Sequence, residues 1–396
     1  MGQLGQRMIS LLRPEWLLGR TKLLVLQGTP FCNIDCDYCY LPNRAAKARM
    51  PVTTVRDSVR WVFENGLGRD DLTIIWHAGE PLTLPRTWYE EAFAAAREAA
   101  PPSWRQRHAF QTNGMLIDDA WCTFFAEHEL HVGISLDGPA PLHDLHRRTR
   151  QGHGSHAAAM QGVAALKRNA VPFHVICVVT RAALDCPEAL IDFFAEQGIL
   201  DVGFNIEEIE GVNGGSSLAG DDASSRFRAF FERVLDRAAE CGVRIREVRS
   251  VLGALMDIPG KAWPGNDQNM PFAILTVTHG GDIYTFSPEL AGLRHVRLGS
   301  MALGNVATQS LADVLEGEIF QAMWSEVSEG IAACERACAY FPLCRGGAPS
   351  NKLGELGTFA GTETIACRLG NQEIAEAVLH RILNEIKHDQ VLSKAS

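Results

Sequence analysis

The sequence predicts an α/β protein built on a parallel sheet. Three observations carry that expectation. Apolar strand-like runs alternate with helical patterns through the first half, the alternation gives six strands, and the motifs able to do chemistry each follow a strand-like run. The first strand is Lys22–Gln27, an apolar strand-like run. The helical pattern Thr54–Glu64 follows. Leu72–His77 and Trp88–Ala99 form the second pair, and His108–Thr112 and Asp118–His128 the third. His131–Leu136 precedes His156–Asn169, Phe173–Thr180 precedes Pro187–Gln197, and Val202–Ile206 is the sixth strand. Six units are too few to close an eight-stranded barrel.

The Gly/Ser-rich segment 211–225 reads as an exposed connection, followed by a helix over Ser225–Cys241. After Pro264 and Gly265 the chain changes character, with a hairpin expected over 276–286 around Gly280 and Gly281. A cysteine-rich segment fills 334–367. Gln372–Leu392 reads as an amphipathic helix whose stripe of Ile374, Val378, Ile382 and Ile386 packs on the core. The expected organisation is therefore a barrel over 1–210, a linker and bridging helix over 211–265, a cysteine-rich domain over 266–370 and a terminal helix over 371–396.

Composition narrows the function classes. A hydrophobic content of 46% and a charged content of 21% suit a soluble globular chain, and no run of 18 apolar residues is present to span a membrane. A net charge of −10 argues against nucleic acid as the main partner, because phosphate binding needs clustered Lys and Arg. The one basic segment, HDLHRRTRQGHGSH at 143–156, suits a loop for a single anionic or carboxylate-bearing ligand. Residues 1–20 hold only short apolar stretches, broken by Arg13, Pro14 and Arg20, without a small-residue cleavage site. Eleven cysteines without a secretory signal point to the cytoplasm and to an oxygen-sensitive metal protein rather than a disulfide framework.

The cysteines Cys32, Cys36 and Cys39 in FCNIDCDYCYLP are spaced C-x3-C-x2-C. Four thiolates are the usual complement of a 4Fe–4S cluster, so three leave one iron with an open position for a small molecule. A zinc site would want paired C-x2-C units or a Cys/His combination, and the closest histidine, His77, is far along the chain. This spacing resembles the radical S-adenosylmethionine superfamily. The resemblance implies a partial (β/α)6 TIM-like barrel, an open 4Fe–4S cluster on Cys32, Cys36 and Cys39, and S-adenosylmethionine chelated to the open iron. It also implies an external electron donor such as flavodoxin or ferredoxin. Reduction would release a 5′-deoxyadenosyl radical, which the protein binds, aims and shields.

Further motifs carry the same resemblance. Ala78, Gly79 and Glu80 in HAGEPL are similar to the family's GGE element, which receives the cofactor ammonium; alanine replaces its first glycine. Asn113 in QTNG, with Ser135 and Asp137 in SLDGP, falls where the family contacts the ribose and nearby polar groups. A carboxylate suits a diol because it accepts two hydrogen bonds. Arg147 in HDLHR stands at the place of an arginine that pairs with the cofactor carboxylate, and Tyr38 at that of an aromatic packed near adenine.

Cys334, Cys338, Cys344 and Cys367 follow the pattern C-x3-C-x5-C-x22-C and resemble the SPASM extension of peptide-modifying radical enzymes. Two departures stand out: no cysteine occurs between 242 and 333, and Ala348 replaces the cysteine expected after Cys344. The resemblance therefore implies one fully ligated auxiliary 4Fe–4S cluster without the inner one; a zinc site on the same thiolates is the alternative. Cys122, Cys177, Cys186 and Cys241 read as ordinary buried thiols.

WHAGEPL, FNIEEIEG and the cysteine-free hairpin TVTHGGDIYTFSPELAG are together similar to cyclophane-forming maturases of glycine-rich precursors. That implies a ribosomally made precursor peptide as partner and a crosslink from a β-carbon to an aromatic ring. The acceptors for the final proton would be among Glu207, Glu208 and Glu210 after the sixth strand, or Asp282 and Glu289 by the hairpin. Two other readings remain open. One is sulfatase-maturase-type oxidation of Ser or Cys; the other is a non-catalytic iron–sulfur electron carrier.

Overall fold

The computed structural model describes residues 17–256 and 265–395. The expectations for the first sixteen residues and for the change at Pro264 lie outside the described residues.

The alternation in the sequence becomes a sheet of parallel strands with crossover helices. In chain order these are β1 (Leu23–Leu26), α1 (Val52–Glu64), β2 (Thr73–Trp76), α2 (Arg86–Ala99), β3 (Arg107–Thr112), α3 (Asp119–Glu127) and β4 (His131–Ser135). Then come α4 (Ala140–His146), α5 (His156–Arg168), β5 (Phe173–Val179), α6 (Pro187–Glu196), β6 (Asp201–Ile206) and α7 (Ala223–Cys241). Each expected strand and helix of this half is present, its ends shifted by a residue or two.

Beyond α7 the sheet continues. β7 (Arg244–Ile245) pairs in parallel with β6, and α8 (Arg246–Met256) follows. The hairpin of β8 (Ile274–Val277) and β9 (Asp282–Thr285) forms around Gly280 and Gly281. It does not stand apart from the barrel: β8 lies parallel beside β1, Leu23 opposite Ile274. β10 (Arg294–His295) and β11 (Gly299–Ser300) form a small ribbon, and β12 (Gly304–Asn305) pairs with β9. The main sheet therefore runs β12-β9-β8-β1-β2-β3-β4-β5-β6-β7. Helices α9 (Leu311–Glu316), α10 (Glu318–Ala337), α11 (Phe341–Cys344), α12 (Pro349–Leu356) and α13 (Ile374–Ala395) complete the chain.

The helices are held by the faces their spacing predicts. α1 buries Val55, Val59 and Val62, and α2 buries Trp88, Tyr89, Ala92, Phe93 and Ala96. Between α2 and the sheet an aromatic cluster packs edge to face, with Trp76 5.4 Å from Trp88 and 5.1 Å from Tyr89, centroid to centroid. This packing makes the strand ends a rigid mount for the loops that follow them. On α13, Ile374 and Val378 are buried and Ile382 is half-buried, but Ile386 is exposed, so the expected stripe leaves the core before its last member.

Candidate active site

A cavity of about 240 Å³ opens where the loops after β1 to β4 and β6 converge. Cys32, Cys36 and Cys39 line it, all three as free thiols. Burial pushes Cys32 and Cys36 up to about 12, so they hold their protons until a metal takes their place.

Facing the same space is the strap Ala78-Gly79-Glu80. Ala78 has φ +65° and Gly79 φ +124°, both in the region that favours glycine. At Gly79 a Cβ would lie 2.1 Å from the Thr29 carbonyl oxygen, so only glycine fits. Glu80 pins the strap. Its N–H donates to the Phe31 carbonyl at 2.8 Å, while its carboxylate accepts from Leu82 N (2.9 Å), Thr112 Oγ1 (2.7 Å) and Asn113 N (2.8 Å). Burial raises Glu80 to about 7 against the lowering effect of those bonds. With its oxygens engaged, Glu80 fixes the ends of β2 and β3 and leaves backbone atoms to meet a ligand.

Asn113 Nδ2 donates to Asn33 Oδ1 at 2.7 Å and lies 4.0 Å from Cys32 Sγ; Ser135 Oγ accepts from Gln111 Nε2 at 3.0 Å. Both residues line the cavity. Asp137 stands behind the wall. Its carboxylate accepts from Val178 N (2.9 Å), Arg147 Nε (2.8 Å) and the Tyr38 hydroxyl, which leaves little of it for a diol. Burial pushes Asp137 up, but the Arg147 guanidinium, His143 and the hydrogen bonds from Arg147 and Tyr38 together hold it below the usual carboxylate range. Arg147 is 7% exposed, sits 5.4 Å over the Tyr38 ring and brings Nη1 to 4.0 Å from Cys36 Sγ. Ser155 and His143 complete the support: Ser155 Oγ donates to the Arg147 carbonyl at 2.7 Å and lies 2.9 Å from His143 Nε2.

The remaining wall is acidic. Glu207, Glu208, Glu210 and Glu289 all line the cavity, although the first three follow β6 and the last follows β9, near opposite edges of the sheet. Curvature of the sheet brings them together. Burial raises Glu208 and Glu210, and their mutual repulsion raises Glu210 further; burial also raises Glu289. Asn351 Nδ2 donates to Glu210 Oε1 at 2.6 Å. Asp282 is elsewhere: it accepts from Asn305 Nδ2 at 3.1 Å beside the hairpin turn and does not line the cavity. Sequence reasoning missed Tyr40 and His77, whose Oη and Nε2 are 3.0 Å apart on the cavity wall. Their signal was present in CYLP and WHAGEP, directly beside the motif residues that were named.

A second cavity, of about 320 Å³, is lined by Cys334, Cys338, Cys344 and Cys367. Among the described residues no three His, Cys, Asp or Glu converge closely enough to hold a single ion, so these thiols stand around a void rather than around a point. Burial raises Cys344, and pushes Cys367 up to about 12.

The Radical SAM superfamily description matches residues 26–194. An uncharacterized protein of Synechocystis sp. is 41% identical over 368 residues, 91% of this chain and 92% of that protein. The chain belongs to the radical SAM superfamily. Such an enzyme works with S-adenosylmethionine and a 4Fe–4S cluster. A serine-type anaerobic sulfatase-maturating enzyme of Bacteroides thetaiotaomicron is 25% identical over 341 residues, 81% of each chain. One of Klebsiella aerogenes is 34% identical over 156 residues, 38% of each. Among solved structures, anSMEcpe with bound AdoMet aligns with a TM-score of 0.75 at 20% identity, covering 92% of this chain and 99% of that one. Streptococcus suis SuiB bound to precursor peptide SuiA aligns at 0.63 with 16% identity, covering 91% and 79%. These two likenesses establish the radical SAM fold with its C-terminal extension. Among the described residues no helix is long and apolar enough to cross a membrane.

Proposed function

We propose that this radical SAM enzyme modifies a ribosomally made precursor peptide, joining a residue's β-carbon to an aromatic side chain two positions away. The observation that carries the reading is the wall of one cavity, where three cysteine thiols and four glutamates meet. Cys32, Cys36 and Cys39 would hold the cluster; the Gly79 strap, Asn113, Ser135, Arg147 and Tyr38 would hold S-adenosylmethionine. When bound, that pair supplies the 5′-deoxyadenosyl radical that takes a hydrogen atom from the substrate. Asp137 acts as a positioning residue, orienting Arg147 and Tyr38 through its carboxylate. Crosslinking then requires the ring to give up a proton and an electron. A carboxylate raised toward neutrality accepts that proton efficiently at working pH, which suits Glu208, Glu210 and Glu289. Glu207 is committed to Ser217, whose N–H it accepts at 2.7 Å. The cysteine-lined second cavity would hold the auxiliary cluster, the acceptor for the electron. Flavodoxin or ferredoxin would serve as the outside donor.

A second reading, oxidation of a Ser or Cys side chain in a protein, is favoured by the similarity to sulfatase-maturating enzymes. One experiment separates the two. The reconstituted enzyme is reduced with S-adenosylmethionine and an aromatic peptide encoded beside its gene, and the product is fragmented in a mass spectrometer. Loss of two hydrogens with fragmentation suppressed inside a three-residue window supports the crosslink. A carbonyl that reacts with hydrazide, at a Ser or Cys, rejects it in favour of the second reading.

A further inference from the structure

α12 joins the two cavities through consecutive buried residues. Ser350, Asn351 and Lys352 in its first turn are 4%, 8% and 4% exposed. Both Asn351 and Lys352 line the second cavity; Asn351 also reaches Glu210 on the acidic wall of the first, and Lys352 Nζ donates to Cys334 Sγ at 3.5 Å. The backbone has little room to back away, because a Cβ at Gly354 would lie 1.9 Å from the Ile209 carbonyl oxygen. Gly330 on α10 clears the space for the amine, since a Cβ there would sit 3.1 Å from Lys352 Nζ.

Lysine offers three donors and no acceptor, and a buried ammonium is costly without a compensating negative charge. Among the described residues no carboxylate pairs with Lys352, and its hydrogen-bond partner is the sulfur of a cavity-lining cysteine. We propose that Lys352 tunes a 4Fe–4S cluster held by Cys334, Cys338, Cys344 and Cys367, raising its reduction potential. The inference rests on the reading of those four thiols as a cluster site. Net charge and hydrogen bonds to the sulfurs are the protein's levers on such potentials. One-electron reduction takes the cluster core from 2+ to 1+ and adds negative charge beside the fixed cation, so the reduced form gains most from Lys352. The residue thereby makes the second cavity a better electron acceptor for a reaction in the first.

The test uses the full-length chain carrying Cys32→Ala, Cys36→Ala and Cys39→Ala, reconstituted anaerobically so that any cluster signal comes from the second cavity. Dithionite supplies the electron, electron paramagnetic resonance follows the reduced form, and iron and sulfide are counted per chain. Lys352→Met should lower the midpoint by a tenfold change in the reduction equilibrium, about 59 mV for one electron. Lys352→Arg, which keeps the charge, should stay near the parent. If Lys352→Met loses the cluster while Lys352→Arg keeps it, Lys352 serves to assemble the site rather than to tune it, and the proposal is overturned. Equal midpoints for the parent and Lys352→Met, or loss of the cluster from both variants, overturn it. A parent that binds no iron instead overturns the reading of the four thiols, and the role of Lys352 falls with it.

Discussion

Gly79 is where the backbone itself becomes the binding element. Its positive φ and the 2.1 Å approach that a Cβ would make to Thr29 O leave no side chain a place. Gly79→Ala should therefore strain the strap by about 1–3 kcal/mol or move it. S-adenosylmethionine binding, measured by equilibrium dialysis, should weaken at least ~10-fold while the far-ultraviolet circular dichroism stays that of the parent. The acid group makes a prediction with a pH sign. Glu208 is raised from its ordinary 4.5 to about 7 and Glu289 to about 8, burial being the main cause in each. Their basic forms accumulate as pH rises through that window, so turnover should rise with it, and Glu208→Gln should cost about 10²–10⁴-fold in peptide crosslinking. Stability runs the opposite way. A folded-state pKa above the unfolded value means the folded chain binds more protons, so stability falls as pH rises from about 4.5 toward 8. Thermal midpoints of the metal-free protein at pH 5.5 and 8.5 should differ in that sense, and differ less in Glu208→Gln. Much of this site was legible at the residue scale, because its members sit in short motifs directly after strands. The commitments of individual side chains were not. Nothing in SLDGP says that Asp137 faces Arg147 and Tyr38 rather than the cavity, since that depends on where a residue ten positions later folds back.

Helices and strands were legible where periodicity is strong, and less so where pairing is long-range. The first-half strands appear where their apolar runs lie, even where, as in β2 and β5, only alternate residues are fully buried. β7 has only two residues and no such run. The hairpin β8–β9 was readable from its turn, but its place beside β1 was not, because Leu23 and Ile274 pair across most of the chain. The terminal helix shows the same limit. Its stripe continues to Ile386, yet the surface it packs on ends first. Ile374 is 3% exposed and Ile386 is 48% exposed. Ile374→Ala should cost about 2–5 kcal/mol in urea unfolding. Ile386→Ala should change stability by no more than about 0.5 kcal/mol. Equal losses at the two positions would mean that α13 is buried along its whole stripe.

At the scale of the whole molecule, curvature of the sheet makes the enzyme. It brings Glu289, which follows a strand near one edge, to Glu208 and Glu210, which follow a strand near the other, and encloses the three cysteines with them. No local pattern encodes that meeting; it follows from strand order and twist. α12 then ties the first cavity to the second one through neighbouring residues, so the two are built as one unit. The central claim is that the chemistry in the first cavity begins on a peptide β-carbon. The most direct test supplies a precursor peptide deuterated at the β-carbon of the residue to be crosslinked and measures the isotopic content of 5′-deoxyadenosine by mass spectrometry. The account predicts one deuterium transferred per crosslink formed. Undeuterated 5′-deoxyadenosine accompanying a modified peptide would contradict it.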